Sequence, residues 1–283
     1  MDIVEQTLIV NDDARQFKPS QLLANSSGLS QAQIKNAMQK GAVWLQRGNS
    51  KQRLRRASKP LKVGDKLELN YNANLLAQSA KQPELVFDGQ SYSIWYKPYG
   101  LNCQGSRWCD HLSINRWVEM NFHHLVDGKE RPVFLVHRLD RATSGLILLC
   151  HSKNSARIFS EMFSNRQMDK RYQAIVHGDL SALPLKHQVD QAIDNKPASS
   201  IFSFVSKKGD YSLVNVQLLT GRKHQIRKHL SGLGHPIVGD RLYSEPLDES
   251  RDLQLQSVSL GFTCPFSNEK QLFVVDESKL LRL

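Results

Sequence analysis

Three consecutive residues, Arg138, Leu139 and Asp140, carry the strongest chemical signal in this 283-residue chain. Side chains of an extended segment alternate between its two faces, so Arg138 and Asp140 would share one face. A guanidinium beside a carboxylate favours the charged carboxylate and lowers its pKa. An ionised aspartate in this setting can act as a nucleophile. The same pair could instead form an ion pair that closes a loop, and these residues alone leave both interpretations open.

The sequence lacks the residues that several other catalytic chemistries require. Cys103 and Cys109 are separated by five residues, which is not the spacing of a zinc pair, and no second pair accompanies them. The chain has no His-x-Glu with Pro-Cys-x-x-Cys, as zinc deaminases require, and no Gly-x-x-x-x-Gly-Lys phosphate loop. A metal at the adjacent His123 and His124 is also disfavoured. We therefore expect no metal site.

A longer set of motifs surrounds Asp140 and follows a fixed order along the chain. The motifs are Lys97-Pro98-x-Gly100, His137-Arg138-Leu139-Asp140-x-x-Thr143-Ser144-Gly145-Leu146, Lys170-x-Tyr172-x-Ala174-x-Val176-x-Gly178, Leu219-Thr220-Gly221-Arg222-x-His224-Gln225-Ile226-Arg227-x-His229-Leu230 and His235-Pro236-Ile237-Val238-Gly239-Asp240-x-Leu242-Tyr243. Together they resemble the RluA family of RNA pseudouridine synthases. One departure is Tyr96, because the family usually has Asn before Lys-Pro.

The resemblance implies that the chain isomerises uridine to pseudouridine in RNA without a cofactor. Asp140 matches the aspartate that breaks the glycosidic bond, either by attacking C1′ or through a glycal route. Tyr172 matches the tyrosine that stacks under the target base and can assist proton removal from C5. Arg227 matches the basic residue that pairs with the aspartate. Arg138 matches an arginine that can fill the gap left by the flipped nucleotide, and its other candidate role is to pair with Asp140.

Further basic residues near these motifs are expected to contact RNA, since cationic side chains bind phosphates. They are Lys97 in the first motif and Arg222 and Lys223 in the fourth. His224 and His229, also in the fourth motif, are expected to be structural hydrogen-bond partners.

Several elements must position the candidate site. Residues 85–88 and 92–96 predict two strands around a turn, and residues 211–218 alternate like a strand in a sheet. Residues 224–230 predict a short helix that ends before Gly232. The apolar run 146–150 predicts buried core. The segment 101–130 is interpreted as an insertion that shapes the choice of RNA.

The positive charge of the chain is concentrated near its N-terminus. The chain has 38 Lys and Arg against 27 Asp and Glu, a net charge of +11. Residues 14–66 contain twelve basic residues and one acidic residue, so this segment alone accounts for the net charge. A concentrated positive field indicates a polyanionic partner, either nucleic acid or an acidic membrane surface, although a solvated basic face is the simpler interpretation.

This basic segment resembles the S4 RNA-binding module. Ser30 and Gln33 fit a capping box, and Ile34, Ala37 and Met38 form one apolar helical face. The match continues with the strand Val43-Trp44-Leu45, a basic stretch and the turn Val63-Gly64-Asp65, and it is partial because Gln46-Arg47-Gly48-Asn49 replaces the usual Asn-Gly. The other interpretation is a small basic domain with a different partner. The RNA contacts expected here are Lys35, Arg53, Arg55 and Arg56.

The expected organisation has a small α+β S4-like domain in residues 1–71, a linker in 72–83 and a catalytic domain in 84–283. The resemblance implies an α+β pseudouridine synthase fold in the catalytic domain, with a long mixed or antiparallel sheet and flanking helices. No apolar run approaches the roughly 20 residues of a membrane helix, and no signal peptide is present, so we expect a cytoplasmic protein. We expect RNA as the only partner, and a monomer.

Ribosomal RNA is favoured over transfer RNA as the substrate, because the S4-like module commonly accompanies family members that act there. A non-catalytic RNA chaperone or ribosome assembly factor on the same fold is the main alternative. The joint presence of Asp140, Tyr172 and Arg227 argues against it. A membrane-surface protein is a further alternative, which the lack of a strongly amphipathic basic helix disfavours.

Overall fold

The computed structural model describes residues 2–126, 128, 130–245 and 251–283. The chain forms two compact units. The N-terminal unit comprises Met1–Ala80 with Gln104–Asn121, and the larger unit comprises Lys81–Cys103 with Phe122–Leu283. Most of the segment that the sequence indicated as an insertion therefore groups with the N-terminal residues.

The N-terminal unit combines a four-stranded antiparallel sheet with short helices. Its elements are β1 (Ile3–Ile9), a 3₁₀ turn (Ala14–Gln16), α1 (Pro19–Ser27), α2 (Gln31–Gln39), β2 (Val43–Arg47), β3 (Ser50–Arg53), β4 (Lys66–Asn72) and α3 (Ala73–Ala77). The strand order is β1-β4-β2-β3. The short helix α3 lies in the stretch that was expected to be linker, because Asn72 caps its first turn by accepting a hydrogen bond from the amide of Leu75.

Helix α2 begins where its capping box predicts. The Ser30 hydroxyl accepts a hydrogen bond from the Gln33 amide at 3.2 Å, and the Gln33 side chain accepts one from the Ser30 amide at 2.9 Å. The apolar face formed by Ile34, Ala37 and Met38 is fully buried. Both the cap and the core face of this helix are thus confirmed.

The larger unit is built on a long sheet. Its elements are β5 (Glu84–Asp88), β6 (Tyr92–Lys97), β7 (Phe134–Leu135), β8 (Ser144–Cys150), α5 (Lys153–Ser164), β9 (Asp169–His177), β10 (His187–Val189), β11 (Ser200–Lys208), β12 (Tyr211–Leu218), α6 (Gln225–Gly232), β13 (Leu255–Thr263), β14 (Lys270–Val274) and a 3₁₀ turn (Glu277–Lys279); helix α4 (Ile114–Leu125) continues across the boundary between the two units.

The sheet of the larger unit is mixed. Its main path is β10-β11-β12-β9-β13-β8-β6-β5, with β14 paired to β13 and β7 paired to β8. The pair β13–β8 is parallel and the other pairs are antiparallel. Strand β8 is central and apolar on both faces, since Leu146 to Cys150 are at most 1% exposed. The α+β class with a long mixed sheet, as expected from the sequence, is confirmed.

One close approach fixes the register of the parallel pair. Gly145 has φ +109° and faces the backbone of Ser257, where any Cβ would overlap the Ser257 carbonyl oxygen. Only glycine is compatible with both the backbone angle and the contact. On its other side Ser257 pairs with Tyr172 of β9. The glycine therefore joins the strand that follows Asp140 to the strand that carries Tyr172.

Candidate active site

A cavity of about 980 Å³ in the larger unit contains most of the residues that the motifs single out. This volume is at the upper end of the roughly 300–1,000 Å³ usual for ligand clefts. Asp140, Tyr172 and Arg227 all line it. They come from a loop, from β9 and from α6, so only the folded chain brings them together. Arg138, Lys170, Arg222, Lys223 and His224 line the same cavity.

The loop that carries Asp140 is held on both sides of that residue. Leu139 is 4% exposed, its amide donates to the Cys103 sulfur at 3.2 Å, and the Cys103 thiol donates to its carbonyl at 3.1 Å. His137 accepts a hydrogen bond at Nε2 from the Leu148 amide at 2.9 Å, and its ring stacks on Phe163. Burial lowers the pKa of His137 to about 3, so the imidazole stays neutral and can act as an acceptor.

Lys97 anchors the other side of the Asp140 loop. Its ammonium donates to the carbonyls of Pro98, Leu101 and Arg141 at 3.2, 2.8 and 3.3 Å. The side chain is fully buried, and burial lowers its pKa to about 8. An interior ammonium bound to three carbonyls does not suit contact with RNA, contrary to the prediction from its motif. Its hydrogen bond to the Arg141 carbonyl instead supports the loop directly after Asp140.

Arg138 and Asp140 do not form the ion pair considered from the sequence. Leu139 is buried, Arg138 is exposed and Asp140 is half-buried, so the expected alternation of side chains is present. In the parts of the chain that the structure describes, the basic side chains beside Asp140 are Arg227 and His224. Arg138 is left as an exposed cation at the edge of the cavity.

Arg227 lies at the first turn of α6 and is 5% exposed. Its Nη1 is 3.8 Å from Oδ2 of Asp140, while its Nε and Nη2 donate to Oδ2 and Oδ1 of Asp240 at 2.7 and 2.6 Å. The Asp240 side chain is completely buried and also accepts from the amides of Leu242 and Tyr243. The strong partner of Arg227 is thus Asp240, and Asp140 is a second, longer contact.

His224 approaches the other oxygen of Asp140. Its Nε2 is 3.6 Å from Asp140 Oδ1, and its Nδ1 is 2.8 Å from the Tyr243 hydroxyl. His229, one turn later, is fully buried against Ser200 and the Gln191 carbonyl. Both histidines were expected to be structural hydrogen-bond partners, but their surroundings differ. Only His224 faces the cavity.

The loop before α6 is held by one buried amide. Gln225 is 2% exposed; its Oε1 accepts from the Thr220 hydroxyl and the Arg222 amide, and its Nε2 donates to Ser199 and Ser200. These bonds join the loop to β11. Arg222 is half-buried and donates to the Pro197 carbonyl at 3.0 Å, whereas Lys223 is exposed at the cavity edge.

Tyr172 forms one wall of the cavity. It is 6% exposed on β9, opposite Val216 of β12 and Ser257 of β13. Burial raises the pKa of its hydroxyl, against the opposing effect of a hydrogen bond with Ser257. The phenol is therefore protonated at neutral pH and presents a flat, neutral ring.

The basic residues expected to bind RNA in the N-terminal unit fall into two groups. Arg53 donates to the Ser106 carbonyl at 2.7 Å and pairs with Asp110 at 3.0 Å, and Arg55 also binds Asp110. Asp110 is 8% exposed, so these arginines are committed to an internal contact. Lys35 and Arg56, in contrast, are exposed.

Sequence reasoning missed Asp240 and Tyr243 as neighbours of the site. Both lie in the last motif, to which no role was given. The available signal was a single carboxylate after the apolar pair Ile237-Val238, because a buried carboxylate needs a cationic partner.

No group of three or more metal-binding side chains occurs among the described residues. No helix in the described ranges is long and apolar enough to cross a membrane.

Comparison with known proteins identifies the family to which the sequence is similar. A family model described as RNA pseudouridylate synthase matches residues 91–232, half of the chain. The ribosomal large subunit pseudouridine synthase C of Haemophilus influenzae is 26% identical over 91% of this chain and 84% of its own. The tRNA pseudouridine synthase C of Vibrio cholerae is 31% identical over 66% of this chain and 87% of its own.

The fold comparison agrees. The structure of Human RNA Pseudouridylate Synthase Domain Containing 4 superposes with a TM-score of 0.57 and 26% identity, covering 68% of this chain and 88% of that one. The range matched by the family model, residues 91–232, contains the loop, strand and helix that carry Asp140, Tyr172 and Arg227. The chain therefore belongs to the RNA pseudouridylate synthase family and is an RNA pseudouridine synthase.

Proposed function

We propose that this enzyme converts specific uridines of ribosomal RNA into pseudouridine, with Asp140 as the catalytic carboxylate. The observation that carries the proposal is the meeting of Asp140, Tyr172 and Arg227 in one cavity of about 980 Å³. In such a cavity the carboxylate can act on C1′, and the flat aromatic wall can stack on an extruded base.

The reaction is an internal rearrangement that needs no external reagent. The N1–C1′ bond of the uridine breaks and a C5–C1′ bond forms. The proton on C5 leaves, and N1 gains a proton. A carboxylate that remains ionised suits the first step, since it can stabilise or attack the electron-poor C1′. Arg227 and His224 lie beside the two oxygens of Asp140, at 3.8 and 3.6 Å.

Access to a base inside folded RNA requires that the nucleotide leave its stack, which costs a few kcal/mol. Tyr172 offers the extruded uracil a flat surface, and burial raises the pKa of its hydroxyl. Arg138 is exposed at the cavity edge, where a planar cation can occupy the vacated space and stack on neighbouring bases. We infer that Arg222 and Lys223, which line the same cavity, contact RNA phosphates.

Two observations favour ribosomal RNA. The relative named for the ribosomal large subunit matches a larger share of this chain than the relative named for tRNA. The N-terminal unit also places an exposed Lys35 and Arg56 on an α+β domain that resembles the S4 module. A second RNA-binding domain on the same chain would raise the effective concentration of the catalytic cleft on a large RNA.

The experiment measures tritium released from C5 of [5-³H]uridine in purified ribosomal RNA and, separately, in transfer RNA. Wild type, Asp140→Asn and the exposed control Asp194→Asn are compared. We expect release from ribosomal RNA by wild type and the control, and none by Asp140→Asn. Release from transfer RNA alone would overturn the substrate, and equal release by Asp140→Asn would overturn the role of Asp140.

The alternative of a non-catalytic RNA chaperone makes a different prediction in the same assay. It predicts RNA binding with no tritium release from either RNA. Chemical mapping of pseudouridine in RNA from cells with and without the enzyme then identifies the modified position in the case of activity.

A further inference from the structure

The two oxygens of Asp140 have different neighbours. Oδ2 is 3.8 Å from the Arg227 guanidinium, and Oδ1 is 3.6 Å from Nε2 of His224. Both distances exceed a normal hydrogen bond, but bonds of catalytic groups often shorten only when substrate binds. Arg227 has a strong partner of its own in Asp240. His224 has no carboxylate other than Asp140 among its described ion pairs.

The other side of the His224 ring is fixed by Tyr243. The Tyr243 hydroxyl lies 2.8 Å from His224 Nδ1. The Arg227 guanidinium covers the aromatic ring of Tyr243, at 5.0 Å from the ring centroid. A phenol at neutral pH donates its proton to an unprotonated nitrogen. With Nδ1 as acceptor, the neutral imidazole carries its own proton on Nε2, which faces Asp140.

The charges around His224 favour this neutral form. Burial lowers its pKa, and Arg227 and Lys223 lower it further, while Asp140 and Asp240 act in the opposite direction. The net result is a pKa below the ordinary value for histidine. At neutral pH the ring is therefore uncharged and its single N–H is available to the carboxylate.

The backbone at His224 is also unusual. Its φ is +55°, in the left-handed region that glycine and asparagine prefer. A residue with a side chain is kept in this region only where its surroundings hold it there, and such residues cluster at functional sites. Here the Gln225 bonds hold the loop, and the left-handed turn directs the imidazole into the cavity.

We propose that His224 is a positioning residue for Asp140: its Nε2–H holds Oδ1 of the carboxylate, and Tyr243 sets the tautomer and orientation of the imidazole. The inference rests on the proposed function, because it assigns a role relative to the catalytic carboxylate. Arg227 and His224 then hold one oxygen each, so the carboxylate cannot rotate away from the bound nucleotide.

The first test compares His224→Leu with His224→Gln in single-turnover reactions at saturating RNA. Leucine removes the donor, whereas the glutamine amide reaches the same position and retains an N–H. We expect His224→Leu to be slower by on the order of 10–100-fold, with little change in RNA affinity, and His224→Gln to recover most of the rate. His187→Leu, in a strand away from the cavity, is the matched control and should behave as wild type.

A second measurement protects the test against misfolding. His224→Gly suits the left-handed backbone, and added imidazole should restore part of its rate if the ring acts on Asp140. Tyr243→Phe removes one oxygen and keeps the ring beneath Arg227. We expect it to slow the wild-type reaction several-fold but to have no further effect in the His224→Leu background, because the two residues act in series.

Three results would overturn the inference: an unchanged rate in folded His224→Leu, a loss confined to RNA affinity, or fully additive effects of His224→Leu and Tyr243→Phe. Absence of tritium release by wild type on every RNA is a separate outcome. That result contradicts the proposed function, and the variants are compared only where wild type is active.

Discussion

Arg227 binds Asp240 through hydrogen bonds of 2.7 and 2.6 Å, although Asp140 lies 3.8 Å from the same guanidinium. Asp240 thus balances the buried positive charge whether or not Asp140 is ionised. This matters because a carboxylate that takes part in bond making loses its charge for part of the cycle. A guanidinium with a permanent counter-ion can stay buried throughout that cycle.

We expect Asp240→Asn to lower the free energy of unfolding by about 3–5 kcal/mol, since it leaves a buried guanidinium without its counter-ion. Urea denaturation measures the change. The control is Asp194→Asn, which removes the partner of Lys228 from an exposed pair and should cost no more than about 1 kcal/mol. Equal effects of the two substitutions would contradict the importance given to the buried pair.

Lys97 should make stability depend on pH above neutrality. Its pKa is about 8 in the folded protein, below the ordinary value of about 10.4 expected in the unfolded chain. Between these values the unfolded state holds more protons, so the contribution of Lys97 to stability rises with pH. This contribution of Lys97 to stability is fully present above about pH 10.4 and is lost as the pH falls through 8.

The measurement compares wild type with Lys97→Met at pH 7.5 and pH 10. The stability of wild type relative to the variant should increase by about 2–3 kcal/mol over this interval. Lys153→Met, at an exposed position, controls for the loss of a lysine. A difference that is constant with pH would show that Lys97 is not perturbed by burial.

The Cys103 thiol should support the rate of the reaction through the Asp140 loop. Cys103→Ala leaves the buried Leu139 amide without a partner, which costs about 1–3 kcal/mol of stability. We also expect a slower single-turnover rate, because the loop loses its anchor next to Asp140. Cys103→Ser should lose less than Cys103→Ala. Cys150→Ala, at an apolar core position on β8, should affect stability without a matching loss of rate at permissive temperature.

Exposed and internally paired cations of the N-terminal unit should behave differently. We expect Arg56→Ala to weaken RNA binding and to reduce the salt dependence of the affinity by about one unit of slope, while the rate on saturating RNA is unchanged. Arg55→Ala should instead destabilise the unit, because it removes a partner of buried Asp110. Binding measured over a range of salt concentrations, together with thermal unfolding, separates the two effects. Identical behaviour of the variants would contradict the distinction.

Periodicity and capping predicted several elements well. Strand β12 covers residues 211–218 as expected, and α2 begins after Ser30. Strand β1 and helices α4 and α5 were not predicted. The segment 138–140, considered as extended from the sequence, follows the two-residue strand β7 but is not itself a strand, and the Leu139 amide there binds the Cys103 sulfur.

The site residues that stand in motifs could be predicted from the sequence. The burial and pairing of the other cations could not, because they depend on tertiary contacts. Asp140, Tyr172 and Arg227 stand in motifs and lie in the same cavity. The burial of Lys97 and the pairing of Arg53 and Arg55 with Asp110 depend on residues far away in the chain. A count of positive charges cannot separate a cation that faces solvent from one that is neutralised inside the fold.

Strand β13 has a consequence for biosynthesis. Its residues, 255–263, lie between β8 and β9 in the sheet, so the strand after Asp140 and the strand of Tyr172 are joined through a segment that follows both in the sequence. During synthesis on the ribosome, β8 and β9 each have an unpaired edge until β13 emerges and pairs with both. The nascent enzyme therefore cannot modify RNA before β13 has been made.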